Sequence, residues 1–445
     1  MLCCFFAFAF NAFARTNSAE QIFADSINQK IRIKLNELAN SGYPFATISP
    51  VFSQEEGKTR IDFNTEKGIF VNDLRPRFAI ESNLREYLVQ RPFRHFFANE
   101  GEIFNYGKIR VAIAALQTKR YLQSVIFFAP EINGDFFELP VKVRSRNSVF
   151  FSGGLGISTH PRISAVGNAN LNIVNPLGFG ETLDFSYIGE ENFYRIGGNL
   201  QIPYFANTPL GLHFAANAEI GREDYGSVWL SAGVNFFRGL WTAGISGVYG
   251  ELSTQDSSSR YSGIKLTLEN TRPQLQKGLK TSLFSFEAES GIIHFQRLRM
   301  PKAEILANAE FHIPVGVSRF AYLTRPRLGT VAFSTPESLH ETQVFRLGGA
   351  NSLRGYQESV FSAIAFLSSA NELRFYIDGF SAVYLLADYA AILEREYSPS
   401  QARQFLGYGA GVSLPLRNII FSLEWARHIR DFSNFGRLHF RFSTF

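Results

Sequence analysis

Residues 302–313, read as Lys-Ala-Glu-Ile-Leu-Ala-Asn-Ala-Glu-Phe-His-Ile, alternate between two kinds of side chain. Apolar side chains occupy the odd-numbered positions from Ala303 to Ile313. Polar ones occupy the even-numbered positions, with Leu306 as the exception. Because successive side chains of a β-strand point to opposite faces, this stretch predicts a strand with one apolar and one polar face.

The same alternation recurs throughout residues 147–445, between turns rich in Gly, Pro, Asn and Ser; further clear examples are 262–269, 419–426 and 437–442. About 16 such segments fit into this region, each with room for the 9–11 residues of a tilted membrane strand. A soluble β-sandwich also alternates, but ordinary sandwiches have far fewer strands. We therefore predict a mainly β protein with an antiparallel transmembrane β-barrel at 147–445, apolar side to the lipid and polar side to the lumen.

Composition excludes several other classes of protein. The chain has 445 residues and a formal net charge of +5, and its basic residues are spread out, which argues against nucleic-acid binding. It has no apolar run long enough for a membrane helix. Its 46 Phe residues suit a protein that covers its own surface with apolar side chains. Cys3 and Cys4 are the two cysteines, so neither a disulfide framework nor a thiolate metal site is expected in the mature body.

The alternation is interrupted at residues 346–356, which read Arg-Leu-Gly-Gly-Ala-Asn-Ser-Leu-Arg-Gly-Tyr. A strand-like run precedes this segment at 322–333 and another follows at 360–366, so it lies in a long loop between two barrel strands. Gly348 and Gly349 permit left-handed backbone, and Gly355 permits close backbone approach. Arg354 presents a guanidinium fork suited to a carboxylate. The alternative interpretation is a solvated loop arginine.

The segment Leu353-Arg354-Gly355-Tyr356 resembles a motif of the BamA/TamA superfamily of outer-membrane assembly barrels. In that family the sixth extracellular loop carries [V/L/I]RG[F/Y], and Leu347-Gly348-Gly349 before it is also typical. The resemblance implies that the loop folds back into the lumen and that its Arg pairs with an Asp of an Asp-x-Gly segment on the next-but-one strand.

Two aspartates are candidates for that partner. Asp388 stands at the expected place, with Ala390 where the family usually has Gly, and it is the first choice; an ordinary lumen carboxylate is the alternative reading. Asp378, the second choice, precedes Gly379 and has the chemistry of a turn. Residues 175–180 and 270–278 also resemble turn segments of the family.

The first and last strands of the barrel form the predicted seam. Strand 149–158 is rich in glycine, and the last strand is rich in phenylalanine; the seam residues are Gly153, Gly154, Gly156, Phe440, Phe442 and Phe445. Glycine weakens a strand, so a labile seam is one interpretation. Small residues that accommodate a lumen loop are the other. Phe445 ends the chain one step out of the alternation.

The N-terminal residues suggest a leader and a soluble domain. Residues 1–14 form an apolar segment that ends in Ala12-Phe13-Ala14, which predicts a secretory signal peptide even though no basic residue precedes Arg15. A buried N-terminal strand or helix is the alternative. Residues 70–146 have a β-α-α-β-β order that resembles a POTRA domain, and 15–69 resemble a truncated second copy. In the first of the two helices predicted within 70–146, Leu84, Tyr87 and Leu88 are the helical residues and Pro92 ends the helix. A generic α+β domain is the alternative to both.

The sequence has no catalytic motif such as G-x-S-x-G, so we expect neither enzyme activity, catalytic residues, metal nor cofactor. The resemblance implies an outer-membrane location, with the N-terminal domain in the periplasm. It also implies assistance in inserting β-barrel clients through the seam. A two-partner-type polypeptide secretion pore and a passive barrel are the alternatives. Expected partners are outer-membrane lipids, unfolded outer-membrane protein or secreted polypeptide clients, and periplasmic or lipoprotein accessory subunits.

Overall fold

The structure is a computed structural model, and it describes most of the chain. The described ranges are 19–55, 58–81, 83–95, 102–146, 148–158, 164–189, 193–221, 225–272, 282–296, 298–316, 319–333, 343–350, 352–378, 381–394, 402–416, 419–429 and 436–444. The predicted signal peptide and Phe445 lie outside these residues. Among the described residues, no helix combines the length and apolar character needed to cross a membrane.

The N-terminal region is α+β. Its elements are α1 (Ala19–Asn40), β1 (Thr47–Glu55), β2 (Lys58–Glu66), β3 (Leu74–Glu81), α2 (Tyr87–Arg94), α3 (Tyr106–Gln117), β4 (Leu122–Phe127), β5 (Glu131–Asn133) and β6 (Phe136–Ser145). Strands β1 and β2 form an antiparallel hairpin, and a second sheet has the order β3-β6-β4, with β5 on β6. The β-α-α-β-β order predicted for 70–146 is present, with β5 as an extra short strand.

Helix α2 differs from its prediction at Pro92. The sequence predicts that Pro92 ends the helix, whereas the helix runs through it to Arg94. Proline has no N–H, so the carbonyl of Leu88, four residues earlier, loses its helical donor. The Tyr121 hydroxyl donates to that carbonyl at 3.0 Å instead. A tertiary hydrogen bond thus replaces the missing helical one, which the sequence alone does not reveal.

The chain divides into two compact units. The first comprises Met1–Ala79, Phe96–Ile113 and Ile126–Val141; the second comprises Ile80–His95, Ala114–Val125 and Lys142–Phe445 and contains the barrel. Within the second unit, α2 lies against two barrel turns. Arg85 N–H donates to the Gly178 carbonyl at 3.3 Å, and Arg91 Nε donates to Asn207 Oδ1 at 2.7 Å.

Residues from 148 onward form a closed antiparallel barrel with a wall of 16 strands. The wall strands are β7 (Ser148–Ser158), β8 (Ser164–Val174), β9 (Thr182–Gly189), β10 (Phe193–Ile202), β11 (Leu210–Gly221), β12 (Tyr225–Arg238), β13 (Trp241–Thr254), β14 (Ser258–Arg272), β15 (Ser282–Phe295), β16 (Leu298–Pro314), β17 (Phe320–Phe333), β19 (Phe361–Tyr376), β20 (Ala382–Glu394), β21 (Arg403–Leu416), β22 (Ile419–His428) and β23 (Arg437–Thr444). A short inner strand, β18 (Phe345–Leu347), pairs with β19. The predicted fold class is confirmed.

The barrel wall is apolar outside and polar inside, as the alternation predicts. On β14, Ile264 and Leu266 are exposed on the outer face, whereas Lys265 between them forms an ion pair with Glu287. Buried polar side chains of the barrel, such as Glu219 and Lys302, lie on its inner face. A closed ring of strands satisfies the backbone hydrogen bonds, so the outer face can meet an apolar medium.

The first and last strands close the ring by pairing over only a few positions. Strand β23 pairs with β7 over the six positions from Leu438↔Ile157 to Ser443↔Ser152. By comparison, β7 pairs with β8 over eleven positions and β22 pairs with β23 over eight. Gly156 stands opposite His439 in this register.

A side chain at either of the two other seam glycines would crowd its neighbours. A Cβ at Gly153 would lie 2.7 Å from the Asn168 carbonyl oxygen and 2.8 Å from the ring of Phe442. A Cβ at Gly154 would lie 2.9 Å from the amide oxygen of Asn168 and 3.2 Å from the carbonyl oxygen of Phe440. These glycines therefore make room for the neighbouring strands and for the aromatic ring that covers the seam from outside.

Candidate functional site

Loop six is the connection 334–360 between β17 and β19, described from 343 onward except for 351. Strand β18 folds back along β19 at its start. Gly348, Gly349 and Gly355 all have positive φ, at 124°, 81° and 92°, which non-glycine residues rarely adopt. Ser352 Oγ accepts from the Gly348 N–H and donates to the Gly348 carbonyl, both at 2.7 Å, and so holds the tight turn.

The loop delivers Arg354 to a buried position where its side chain is 2% exposed. Its Nε donates to Asp388 Oδ2 and its Nη2 to Asp388 Oδ1, both at 2.8 Å. The backbone N–H of Arg354 also donates to Asp388 Oδ2, at 2.9 Å. This is a bidentate pair with a third hydrogen bond, a geometry that fixes both the side chain and the loop backbone.

Two further carboxylates receive the remaining end of the Arg354 guanidinium. Nη1 donates to Glu372 Oε1 at 2.8 Å and to Glu424 Oε1 at 3.3 Å. Asp388, Glu372 and Glu424 lie on β20, β19 and β22 and are at most 1% exposed. One loop arginine therefore bonds to three strands of the wall.

Three more arginines compensate the surplus of negative charge around Arg354. Arg325 donates to Glu372 Oε1 at 3.2 Å, and Arg374 Nε donates to Glu372 Oε2 at 2.7 Å. Arg441, on the last strand, donates to Glu424 Oε1. Buried charges are tolerated only when they are paired and hydrogen-bonded, and this set meets that condition.

Two glycines allow the loop backbone to press against the wall. A Cβ at Gly407, within β21, would lie 2.0 Å from the Arg354 carbonyl oxygen. A Cβ at Gly355 would lie 2.6 Å from the backbone carbon of Arg427 on β22. Glycine inside a strand commonly marks such close backbone approach.

The flanks of the arginine are apolar and aromatic. Leu353 is 1% exposed and belongs to a cluster of buried side chains on β19, β20 and β21. The Tyr356 ring stacks on His428 at 4.8 Å and meets Phe405 edge-on at 5.6 Å. The Tyr356 hydroxyl donates to the Leu406 carbonyl at 3.3 Å. These contacts pack loop six against β21 and β22 on one side of the Arg354 ion pairs.

Loop six makes a second charged contact through Arg346, which precedes Leu347 in β18. Arg346 Nη2 lies 3.0 Å from Glu219 Oε1 on β11 and 3.1 Å from the Tyr225 hydroxyl oxygen. The Arg346 guanidinium also lies 4.1 Å from the centre of the Phe193 ring. Arg195 Nε donates to Glu219 Oε2 at 2.8 Å, and the Arg195 side chain is 39% exposed.

The structure brings most of the predicted loop residues together with Asp388, and it gives Asp378 another task. The Asp378 carboxylate accepts from the Ser381 backbone N–H at 2.5 Å and from the Ser381 hydroxyl at 2.8 Å, as expected for a turn. The predicted turn at 175–180 is also tied together, because Gly180 N–H donates to Asn175 Oδ1 at 2.8 Å.

Several residues of the site could not be recognised from the sequence. Glu424 lies in a strand where it reads as one more inward polar residue, and only its three-dimensional position links it to loop six. The Arg346–Glu219 contact joins residues more than a hundred positions apart. Gly407 gave a usable signal, because a glycine within an alternating strand suggests that another backbone comes close.

Comparison with known proteins supports this fold. No family model and no curated protein match the chain. Among solved structures, BamA from Haemophilus ducreyi lacking POTRA domains 1–3 is 15% identical, with a TM-score of 0.53, and covers 94% of this chain and 93% of that one. CdiB from Acinetobacter baumannii is 14% identical, with a TM-score of 0.59, and covers 94% and 81%. CdiB from Escherichia coli is 15% identical, with a TM-score of 0.57, and covers 93% and 83%.

At these identities the likeness establishes the fold alone. It extends over nearly the whole chain, including both the barrel and the α+β region before it. The resemblance that residues 353–356 suggest is thereby confirmed at the level of fold: the chain has the architecture of a BamA/TamA-type barrel.

Proposed function

We propose that this chain resides in the bacterial outer membrane and assists the insertion of β-barrel clients through the seam between β7 and β23. The observation that carries the proposal is the short seam, with six register pairs against eleven and eight for the neighbouring strand pairs. Fewer pairs mean fewer backbone hydrogen bonds to break when the two strands separate. A separated edge presents unpaired N–H and C=O groups, to which a client strand can add by β-augmentation.

The ion-pair network of loop six supports the same role. It reaches the seam itself, because Arg354 bonds to Glu424 and Glu424 bonds to Arg441 on the last strand. Arg441 stands opposite Gly154 of the first strand. A barrel whose seam opens needs the rest of its wall to stay folded, and a buried anchor on β19, β20 and β22 provides that support.

The N-terminal region fits a periplasmic role in this proposal. Residues 1–14 would direct export, 15–69 would form a truncated POTRA-like segment, and 70–146 would form a POTRA-like domain ahead of the barrel at 147–445. Its edge strands would guide unfolded clients by edge pairing, and periplasmic or lipoprotein subunits would assist. The proposed activity needs no catalytic residue, cofactor or metal, because strand exchange makes and breaks only hydrogen bonds.

A polypeptide secretion pore of the two-partner type is the second candidate. The observation that favours it is the Arg346–Glu219 contact, which gives loop six a second hold inside the lumen. Glu219 also pairs with Arg195, whose side chain is 39% exposed. A loop that is held at two separate points can release one of them and move aside without leaving the barrel. In that case the polypeptide passes through the lumen and the seam stays closed.

Locking the seam distinguishes the two functions. Ser152 and Ser443 are register partners across the seam, and cysteines at directly opposed positions are close enough for a disulfide. The Ser152→Cys/Ser443→Cys protein is reconstituted in liposomes, an unfolded outer-membrane barrel is added, and protease-protected folded client is measured. We expect client insertion to stop under oxidising conditions and to return on reduction.

The matched control is Ser413→Cys/Ser422→Cys, which joins β21 to β22. These serines are also register partners, with hydroxyl oxygens 3.2 Å apart, and they lie away from the seam. Insertion that continues with an oxidised seam overturns the assembly proposal. If a secreted polypeptide crosses the same locked barrel, the secretion pore becomes the better explanation.

A further inference from the structure

A cavity lies beside the tip of loop six inside the barrel. Its volume is about 210 Å³, enough for a small anion with several waters. Four cationic side chains line it, from two strands and the loop; these are Arg325 and Arg327 on β17, Arg441 on β23 and Arg354 from loop six. Ser352 and Ser368 add hydroxyl groups, and Asp388 is the acidic residue of the lining.

The charges around this cavity do not cancel. The ion-pair network contains four carboxylates, on Glu310, Glu372, Asp388 and Glu424. Four arginines, namely Arg325, Arg354, Arg374 and Arg441, each form an ion pair with at least one of them. Arg327 is the fifth guanidinium of the group and pairs with no carboxylate in the described part of the chain. It donates from Nε to Asn308 Oδ1 at 2.9 Å and lies 5.8 Å from the Phe366 ring.

Hydrogen-bond donors remain available on the same side chains. Within the described residues, Arg327 uses only Nε for a protein acceptor, and Arg441 uses only Nη2. Arg325 uses Nε for Glu310 and Nη1 for Glu372, which leaves its Nη2 without a protein acceptor in that part of the chain. Planar guanidinium groups with unused N–H bonds are the preferred protein ligands of oxyanions.

We propose that this cavity is a binding site for a small, singly charged oxyanion, such as a carboxylate or dihydrogen phosphate. One negative charge balances the five arginines and four carboxylates of the network. The anion would receive hydrogen bonds from Arg327 and Arg441, which belong to two different strands, while Ser352 brings loop six to the same cavity. This site is independent of whether the barrel inserts clients or secretes them.

Anion binding would have a structural consequence. A bound oxyanion joins β17 and β23 beside the loop, so it favours the docked state of loop six over any state in which the loop has left the lumen. By linkage, a ligand that binds only the docked state stabilises that state as its concentration rises. The site therefore makes the barrel sensitive to anions in the medium.

Equilibrium dialysis of the purified, folded full-length chain in detergent tests the site. The probe is radiolabelled inorganic phosphate at pH 6, with ionic strength held constant by a neutral buffer salt. We expect saturable binding of about one phosphate per chain, weakened about tenfold or more by Arg327→Gln, since a hydrogen bond to a charged group is lost. Arg260→Gln is the control, because Arg260 lies on β14, is 66% exposed and does not line the cavity.

Competition then tests the chemical class of the ligand. Acetate should displace the phosphate at a lower concentration than chloride does, because acetate offers two oxygen acceptors to the guanidinium forks. Folding of each variant is checked by heat-modifiable gel mobility, and an Arg327→Lys variant keeps the charge if the Gln variant fails to fold. The absence of saturable binding, or equal binding by the folded Arg327→Gln protein, overturns the proposal. Equal displacement by chloride overturns the oxyanion assignment.

Discussion

Arg346 and Arg354 lie eight residues apart on loop six, and they bind carboxylates on opposite sides of the barrel. Arg346 pairs with Glu219 on β11, and Arg354 pairs with Asp388 on β20. These two strands are eight positions apart in either direction around the ring of 16. Loop six therefore forms a strap between the two walls: its backbone pairs with β19, and the Arg346 side chain reaches Glu219 on the facing wall.

Release of one end of the strap should open the lumen. We expect Arg346→Gln to remove the ion pair with Glu219, while the Arg354 anchor keeps the loop attached to β20 and the barrel folded. The expected result is a higher single-channel conductance in planar bilayers, with normal heat-modifiable gel mobility. The control is Arg260→Gln, an exposed arginine on β14. Unchanged conductance of a folded Arg346→Gln barrel would show that this contact does not restrict the lumen.

The Arg354 anchor should matter far more for stability. We expect Arg354→Ala to destabilise the barrel by about 3–5 kcal/mol, because it leaves buried carboxylates without their partner. Arg260 forms an exposed ion pair with Glu251, with 3.6 Å between Nε and Oε1. Arg260→Ala should therefore destabilise the barrel by less than about 1 kcal/mol. The measurement is the fraction of folded barrel on heat-modifiable gels across a urea series. Equal urea midpoints for the two variants would show that the buried Arg354 ion pairs stabilise the barrel no more than an exposed ion pair does.

Exchange of the two charges tests whether Arg354 and Asp388 act as a direct pair. Arg354→Asp and Asp388→Arg alone should each sharply lower the amount of folded barrel. The double variant should recover only part of the loss, since an aspartate at position 354 would face the carboxylates of Glu372 and Glu424. The readout is the folded fraction in whole membranes. Complete recovery would mean that Glu372 and Glu424 contribute nothing, and no recovery would mean that the pair is not direct.

The sequence predicts the barrel well because alternation is a local property. Each strand declares its apolar and polar faces on its own, as residues 302–313 do, and the closed ring follows from the backbone's need for partners in an apolar medium. The motif at 353–356 also marks the loop and suggests Asp388. Contacts between residues far apart in the sequence are harder to predict. No local signal distinguishes Glu424, Arg441 and Glu219 from other inward polar residues, so their contacts with loop six become visible only once the strands are placed.

Helix α2 shows that the same limit applies to helices. Proline usually ends a helix because it leaves a carbonyl without a donor. Pro92 does not end α2, since the Tyr121 hydroxyl supplies that donor from a residue 33 positions away from Leu88. Local rules state the cost of a residue correctly, but a distant side chain can offset it.

Gly407 should also be needed for loop docking, although its replacement should cost less than loss of the charged pair. A Cβ at this position would lie 2.0 Å from the Arg354 carbonyl oxygen, so Gly407→Ala must push the loop backbone away from β21. We expect a loss of about 1–3 kcal/mol in stability, as for other overpacked sites, and faster trypsin cleavage after Arg354. Gly226→Ala is the matched control, because a Cβ at Gly226 on β12 has no neighbouring atom within 4 Å. The two variants are compared by limited proteolysis and urea midpoint on the folded barrel. If Gly407→Ala resists trypsin as well as Gly226→Ala does, the close approach of loop six to β21 is not what holds Arg354 in place.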